Sequence, residues 1–150
     1  EFGLDGIVLN SSPEAVQDAV KRITGADIIG GKEQASGFDV CVEAVGLPET
    51  FQLCIDSAAY GGRVVLIGVG KQNLDFNFTA IQKKELNVFG SRNALNDDFI
   101  HVIDILKAGE INLEKIITDV YPFGKAPQAF ADFSAHRERM LKVLLDFSEI

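Results

Sequence analysis

Hydrophobic positions along this chain change period several times, and each change marks an element. Val64-Val65-Leu66-Ile67 is an aliphatic run held between Gly61-Gly62 and Gly68-Val69-Gly70. A run apolar on both faces predicts a strand buried on both sides, as in a parallel sheet covered by helices. Phe38-Asp39-Val40-Cys41-Val42-Glu43-Ala44-Val45-Gly46 predicts a second strand with glycine at its end. Between the two, Pro48 opens a helix that runs to Tyr60, with Phe51, Ile55, Ala58 and Ala59 as its apolar stripe. Strand, helix and strand within about thirty residues make a βαβ unit with a right-handed crossover.

Upstream, Gly6-Ile7-Val8-Leu9-Asn10 predicts a short buried strand. Ser11-Ser12-Pro13-Glu14 then predicts a helix start: a serine caps, Pro13 fits the first turn, and Glu14 takes the capping-box position. Val16, Val20 and Ile23 form one stripe of that helix, and Gly25 stops it. Residues 26–37, with Gly30-Gly31 inside, predict a polar surface loop. Downstream, Leu74-Asp75-Phe76-Asn77-Phe78 alternates with period two, predicting a half-exposed strand. Residues 81–85 are polar, and Leu86-Asn87-Val88-Phe89-Gly90 predicts another short strand. Asn96-Asp97-Asp98 caps a helix over 97–108 whose apolar side is Phe99, Ile100, Ile103 and Leu106, ended by Gly109. A strand over 116–121 stopped by Pro122, a helix over 127–134 carrying Phe130 and Phe133, and a closing strand over 141–147 complete the α/β pattern.

Charge and composition narrow the function classes. The 150 residues suit one domain by size, and the 47% hydrophobic content supports a core. Fourteen Lys and Arg against 22 Asp and Glu leave a net charge of −8, which argues against nucleic acid and against an anionic membrane surface. No apolar run approaches the ~20 residues of a spanning helix, and the acidic start carries no apolar leader. Cys41 and Cys54 lie inside apolar segments and form no metal-spaced pair; buried free thiols suit a reducing cytoplasm.

The glycines after Ile67 carry the functional signal. Ligands of open α/β sheets bind beyond the carboxyl ends of the strands, and a residue without Cβ lets a ligand reach the backbone. Ile67, Gly68 and Val69 are therefore candidates for a ligand-facing edge; a plain buried strand leaving through a flexible turn has the same local sequence.

The order of these segments resembles the medium-chain, zinc-type alcohol dehydrogenases. Phe38-Asp39-Val40 through Glu43-Ala44-Val45-Gly46, a helix, then Gly61-Gly62-Arg63-Val64-Val65-Leu66-Ile67-Gly68 is similar to the later part of that family's cofactor domain. Ala108-Gly109-Glu110-Ile111, Ile117-Thr118-Asp119-Val120-Tyr121-Pro122-Phe123, Ala129-Phe130-Ala131-Asp132-Phe133 and Lys142-Val143-Leu144-Leu145 resemble its closing segments. Lys83-Lys84-Glu85 before Asn87-Val88-Phe89-Gly90-Ser91-Arg92-Asn93 leans toward the polyol and sugar-acid branch, that of sorbitol- and galactonate-type dehydrogenases. The resemblance implies a partial Rossmann-type parallel sheet over 1–92, the C-terminal half of a cofactor domain. It implies over 93–150 the C-terminal segment of the catalytic domain.

It also implies a site. Ile67 and Val69 on one strand, with Asn87 and Phe89 on the next, would hold the nicotinamide carboxamide of NAD or NADP through backbone groups. Ala44, Val45 and Gly46 would pass under the nicotinamide ribose, and Gly68, between Ile67 and Val69, would belong to the same cofactor-binding edge. Lys142 matches a basic residue that pairs with the pyrophosphate, or is a solvated lysine. Arg92 would reach a carboxylate or hydroxyl of an alcohol or sugar-acid substrate, or stays on the surface. The family's Gly-x-Gly-x-x-Gly loop, its acidic ribose-reading residue and its zinc ligands have no counterpart here, so the resemblance implies a C-terminal piece of a longer enzyme, inactive alone, with zinc held elsewhere. His101 and His136 read as surface residues. The family joins two subunits strand against strand, which implies a homodimer through Leu74 to Phe78 and Leu86 to Phe89, with Phe76 or Phe78 at its centre. An intramolecular hairpin is the alternative for that region. A non-catalytic α/β assembly module is the alternative for the whole chain.

Overall fold

The computed structural model describes residues 4–76 and 78–148. The chain forms two compact units, Leu4–Asn93 and a second from Ala94 onward, and each is described by itself.

The first unit is built on three parallel strands. β3 (Phe38–Glu43), β4 (Ala58–Leu66) and β5 (Asn87–Gly90) lie in the order β3-β4-β5. They are linked by α2 (Pro48–Ser57) and by α3 (Thr79–Lys84). α2 lays Phe51 and Ile55 on Cys41 of β3 and Ala58 and Val64 of β4, and Leu86 closes the cluster. Ile55 and Val64 are fully buried. The opposite face of β3 carries Val40 and Val42, both exposed. The expectation that the Val64 to Ile67 run is buried on both sides is corrected: Val64 is fully buried, Val65 and Leu66 are half-buried, and Ile67 is exposed.

α1 (Pro13–Thr24) starts where the Ser-Ser-Pro signal predicts. Ser12 is its cap, and the Ala15 N–H donates to Ser12 Oγ at 3.2 Å. Glu14 sits one position early for a capping box, so the predicted box is not formed. Val16, Ala19 and Val20 are buried while Ile23 is exposed, which shifts the buried stripe one step from the expected one. Lys21 pairs with Glu33 at 2.7 Å, tying α1 to the segment 32–35.

Four readings of the sequence need correction in this unit. Residues 6–10 form no strand, and Ile7 and Leu9 are exposed, since no described strand lies beside them to pair with. Residues 26–37 are a hairpin rather than a loop: β1 (Ala26–Ile29) pairs antiparallel with β2 (Lys32–Ala35). Gly30 and Gly31 both have positive φ, the requirement of a type I′ turn, whose twist suits a two-residue hairpin. α2 ends at Ser57, and Ala58, Ala59 and Tyr60 already belong to β4. Finally, Leu74, Asp75, Phe76 and Phe78 are not in a strand; Asn77 lies outside the described residues. Phe76 instead packs edge-on against Phe51, with ring centroids 4.9 Å apart, and joins the core margin. Phe78 is exposed just before α3, a helix the polar reading of 81–85 passed over.

The second unit holds α4 (Asn96–Lys107), β6 (Ile117–Pro122), α5 (Ala126–Ala135) and β7 (Lys142–Asp146). Each lies within one or two residues of its predicted span. Asp98 accepts from the Leu95 N–H at 2.7 Å and so caps α4, although the cap residue is Leu95. β6 and β7 pair in parallel, with Val120 opposite Leu144. Tyr121 donates to Asp132 of α5 at 2.9 Å, and Ala129 and Met140 are buried.

Candidate functional site

β3 and β4 leave the sheet at the same edge, because Glu43 and Leu66 are paired in register at its carboxyl end. The Ile67 and Gly68 N–H groups both donate to the Glu43 carbonyl, at 2.8 and 3.0 Å, so the exit of β4 is tied to the last residue of β3. The two turns that follow touch. A Cβ on Gly46, whose φ is +85°, would lie 2.6 Å from the Val69 carbonyl carbon and 2.7 Å from Gly70 N. A Cβ on Gly68 would overlap Gly46 N and lie 2.7 Å from Val45 N. Only glycine at both positions lets the backbones approach this closely. The side chains of Val45, Ile67 and Val69 stand out from the edge, with Val69 79% exposed.

Glu43 holds this arrangement, and the sequence reading passed it over. Its side chain points inward and the residue is only 4% exposed. Oε1 accepts three donors: the Val45 N–H at 2.8 Å, the Gly46 N–H at 2.8 Å and the Thr50 hydroxyl at 2.6 Å. The Leu47 N–H in turn donates to Thr50 Oγ1 at 3.3 Å. A buried carboxylate is costly unless hydrogen bonds replace its water. Here the Thr50 hydroxyl, outweighing the burial that opposes it, and the backbone N–H groups hold the Glu43 carboxyl below its ordinary pKa. The signal was present in the sequence as a Glu at a strand end, three residues before Gly46 and seven before Thr50 in the first turn of α2. A lone acid in an apolar run reads as solvent-facing, and that hid it.

The remaining candidates are spread out. Asn87 pairs with Arg63 and Phe89 with Val65, so Phe89 is one residue from the end of β5 and Asn87 three. At about 3.3 Å per residue, Asn87 lies roughly 10 Å back from that end along the strand. Ser91 donates to the Leu66 carbonyl at 2.9 Å, and Arg92 follows it in an exposed segment. Lys142 belongs to the second unit, where it begins β7 beside an apolar groove lined by Phe130, Phe133 and Leu145. His101 and His136 are exposed, as expected. Cys41 and Cys54 are free thiols. Burial first, then the neighbouring Cys41 and Glu43, pushes Cys54 up to about 11, which makes it a poor nucleophile. Among the described residues no three His, Cys, Asp or Glu side chains gather as a metal site. Among the described residues no helix is long and apolar enough to cross a membrane.

Comparison with known proteins gives the chain its relatives. A D-xylulose reductase A of Aspergillus niger is 31% identical over 121 residues, covering 81% of this chain and 32% of that protein. A zinc-type alcohol dehydrogenase-like protein of Haemophilus influenzae is 33% identical over 129 residues, 85% of this chain and 35% of that one. The chain thus spans about a third of the length of the curated relatives it matches. An Escherichia coli alcohol dehydrogenase solved with NADH superposes with a TM-score of 0.79 at 29% identity, over 97% of this chain and 39% of that one. The family profile described as zinc-binding dehydrogenase matches residues 1–108. This chain, with its parallel sheet and its glycine-lined strand ends, belongs to the zinc-binding dehydrogenase family.

Proposed function

We propose that the edge formed by the ends of β3 and β4 carries the nicotinamide half of NAD or NADP in a zinc-dependent alcohol dehydrogenase acting on polyols or sugar acids. One observation carries the reading: at the carboxyl end of the parallel pair β3–β4 the two turns close on each other backbone to backbone at Gly46 and Gly68, and Val45, Ile67 and Val69 stand out from the edge they form. Ligands of α/β sheets bind at such a carboxyl edge. In this reading Ala44, Val45 and Gly46 run beneath the ribose, and Ile67, Gly68 and Val69 face the carboxamide. Phe89 and Asn87 supply the neighbouring strand, Phe89 from the closer position. Arg92 meets a substrate carboxylate or hydroxyl, and Lys142 the pyrophosphate. The bound nicotinamide takes or returns hydride, and what these residues contribute is orientation, a large part of the rate of such reactions. Zinc finds no fitting donor set among the described residues, and no zinc-borne step is assigned to them.

The polyol class is supported by the Aspergillus relative, and the reducing cytoplasm by two free thiols. The homodimer of the resembled family is kept, moved onto β5. Val88 and Phe89 are exposed on a strand at the end of its sheet, and such a strand is a template for a second chain. Phe76, packed on Phe51, leaves the proposed interface; Leu74 and Phe78 stay in it.

The test is amide exchange on the complete gene product with and without NADH or NADPH. Bound cofactor is expected to slow exchange at residues 44–46 and 67–69. Cofactor bound without protection there, or no binding by the folded protein, overturns the reading.

A further inference from the structure

Glu43 does more than fill the core. All three donors converge on Oε1. Oε2 faces the other turn: a Cβ on Gly68 would stand 2.5 Å from it. The same residue's carbonyl takes the Ile67 and Gly68 N–H groups. So one residue holds both turns, the 44–47 turn through its side chain and the 67–70 turn through its main chain. Glu43 also borders a cleft of about 120 Å³ with Gly46, Leu66, Gly68 and Gly70, so the clamp and the open edge are contiguous.

We propose that Glu43 is a positioning residue whose carboxylate clamps the turn after β3 against the exit of β4, and so sets the shape of the cofactor-facing edge. The proposal rests on the cofactor reading above only for what the edge binds; the clamp itself is a property of the two turns. Among the described residues the Val45 and Gly46 N–H groups have no other acceptor, and without the carboxylate they would turn to water. Gly46 would then move away from Val69 and Gly70, loosening the contact between the two turns. Thr50 orients the clamp through its hydroxyl, so serine at 50 keeps the function and valine loses it.

The experiment is run on the complete gene product. Amide exchange is measured at 44–47 and 67–70 for the parent, Glu43→Ala, Glu43→Gln, Thr50→Val and Thr50→Ser, with NADH titrated into each. Glu43→Ala is expected to speed exchange in both turns roughly 10- to 100-fold, the loss that follows removal of buried hydrogen bonds to a charge. NADH affinity falls over the same range, and KM for cofactor rises more than kcat falls. Thr50→Val follows in the same direction by a smaller factor, and Thr50→Ser restores the parent. Should Glu43→Ala fail to fold, Glu43→Gln decides, since it keeps an acceptor but sets an amide N–H₂ beside Gly68. Unchanged exchange in both turns of the folded variants overturns the clamp. Faster exchange with unchanged NADH affinity also overturns it as a positioning device. A parent that binds neither NADH nor NADPH overturns the cofactor reading instead, while the exchange rates still judge the clamp.

Discussion

Glu43 contributes to the pH response of the first unit. Its carboxyl is held below the ordinary value by the Thr50 hydroxyl and the strand-end N–H groups. A group whose folded pKa lies below its unfolded one contributes stability that is in full force above the unfolded value, about 4.3 for Glu, and is lost as pH falls through the folded value. Urea unfolding at pH 7 and at pH 3 should therefore show Glu43→Gln clearly weaker than the parent at pH 7, with the gap closing in acid. A gap that stays constant across that range would falsify the charged clamp. This residue was also the least legible one in the sequence. Hydrophobic alternation places a side chain on a face, but it does not reveal that three donors wait for a carboxylate there.

Among the elements, the α2–α3 junction is the one most dependent on a single side chain. Lys84 sends its ammonium to the carbonyls of Ile55, Asp56 and Ala58, at 3.0, 2.8 and 2.9 Å. These are carbonyls at the end of α2, where a cation also meets the favourable end of the helix dipole. Burial lowers the Lys84 pKa, so the ammonium is partly desolvated for this task. Lys84→Met is expected to cost about 1.5–3 kcal/mol in urea unfolding, the range for hydrogen bonds to a charged group. Ile55→Ala, which empties a fully buried position in the same junction, should cost about 2–5 kcal/mol. Periodicity made α1, α2, α4, β3 and the core of β4 legible, because each has a stripe or run of apolar residues at its own spacing. It failed where the spacing had no partner. Leu74, Phe76 and Phe78 alternate as a strand would, yet Phe76 is drawn to Phe51 and no described neighbour supplies a ladder. The β1–β2 hairpin was missed for the opposite reason: its positions are almost all exposed, so Gly30-Gly31 was its only mark.

For the whole molecule, the family and the parallel sheet were legible because order and spacing of several weak segments agree. The site was legible only as far as its glycines. Two expectations belong at this scale. The 150-residue chain alone should show no zinc-dependent polyol oxidation, since its described residues gather no metal site; NADH production above the buffer rate with added zinc and a polyol panel would refute this. Light scattering should give a dimer, and Val88→Lys with Phe89→Asp should give a folded monomer, because exposed apolar side chains on an edge strand are replaced by charge. A parent that is monomeric, or a folded variant that stays dimeric, removes β5 as the interface.

The strand order β3-β4-β5 is also the order of synthesis. Each strand therefore emerges from the ribosome to find its neighbour already made, and the sheet grows from one side by successive addition. No strand must wait for a later segment to be threaded between two earlier ones. Each closure spans about 23 or 24 residues, Val40 to Arg63 and Arg63 to Asn87, so less chain entropy is lost than in a parallel sheet whose neighbours lie far apart in sequence. Among the described residues β3 and β5 both remain as edges of this sheet; β5 is the later of the two to be laid down, and the second chain of the proposed dimer would meet it there.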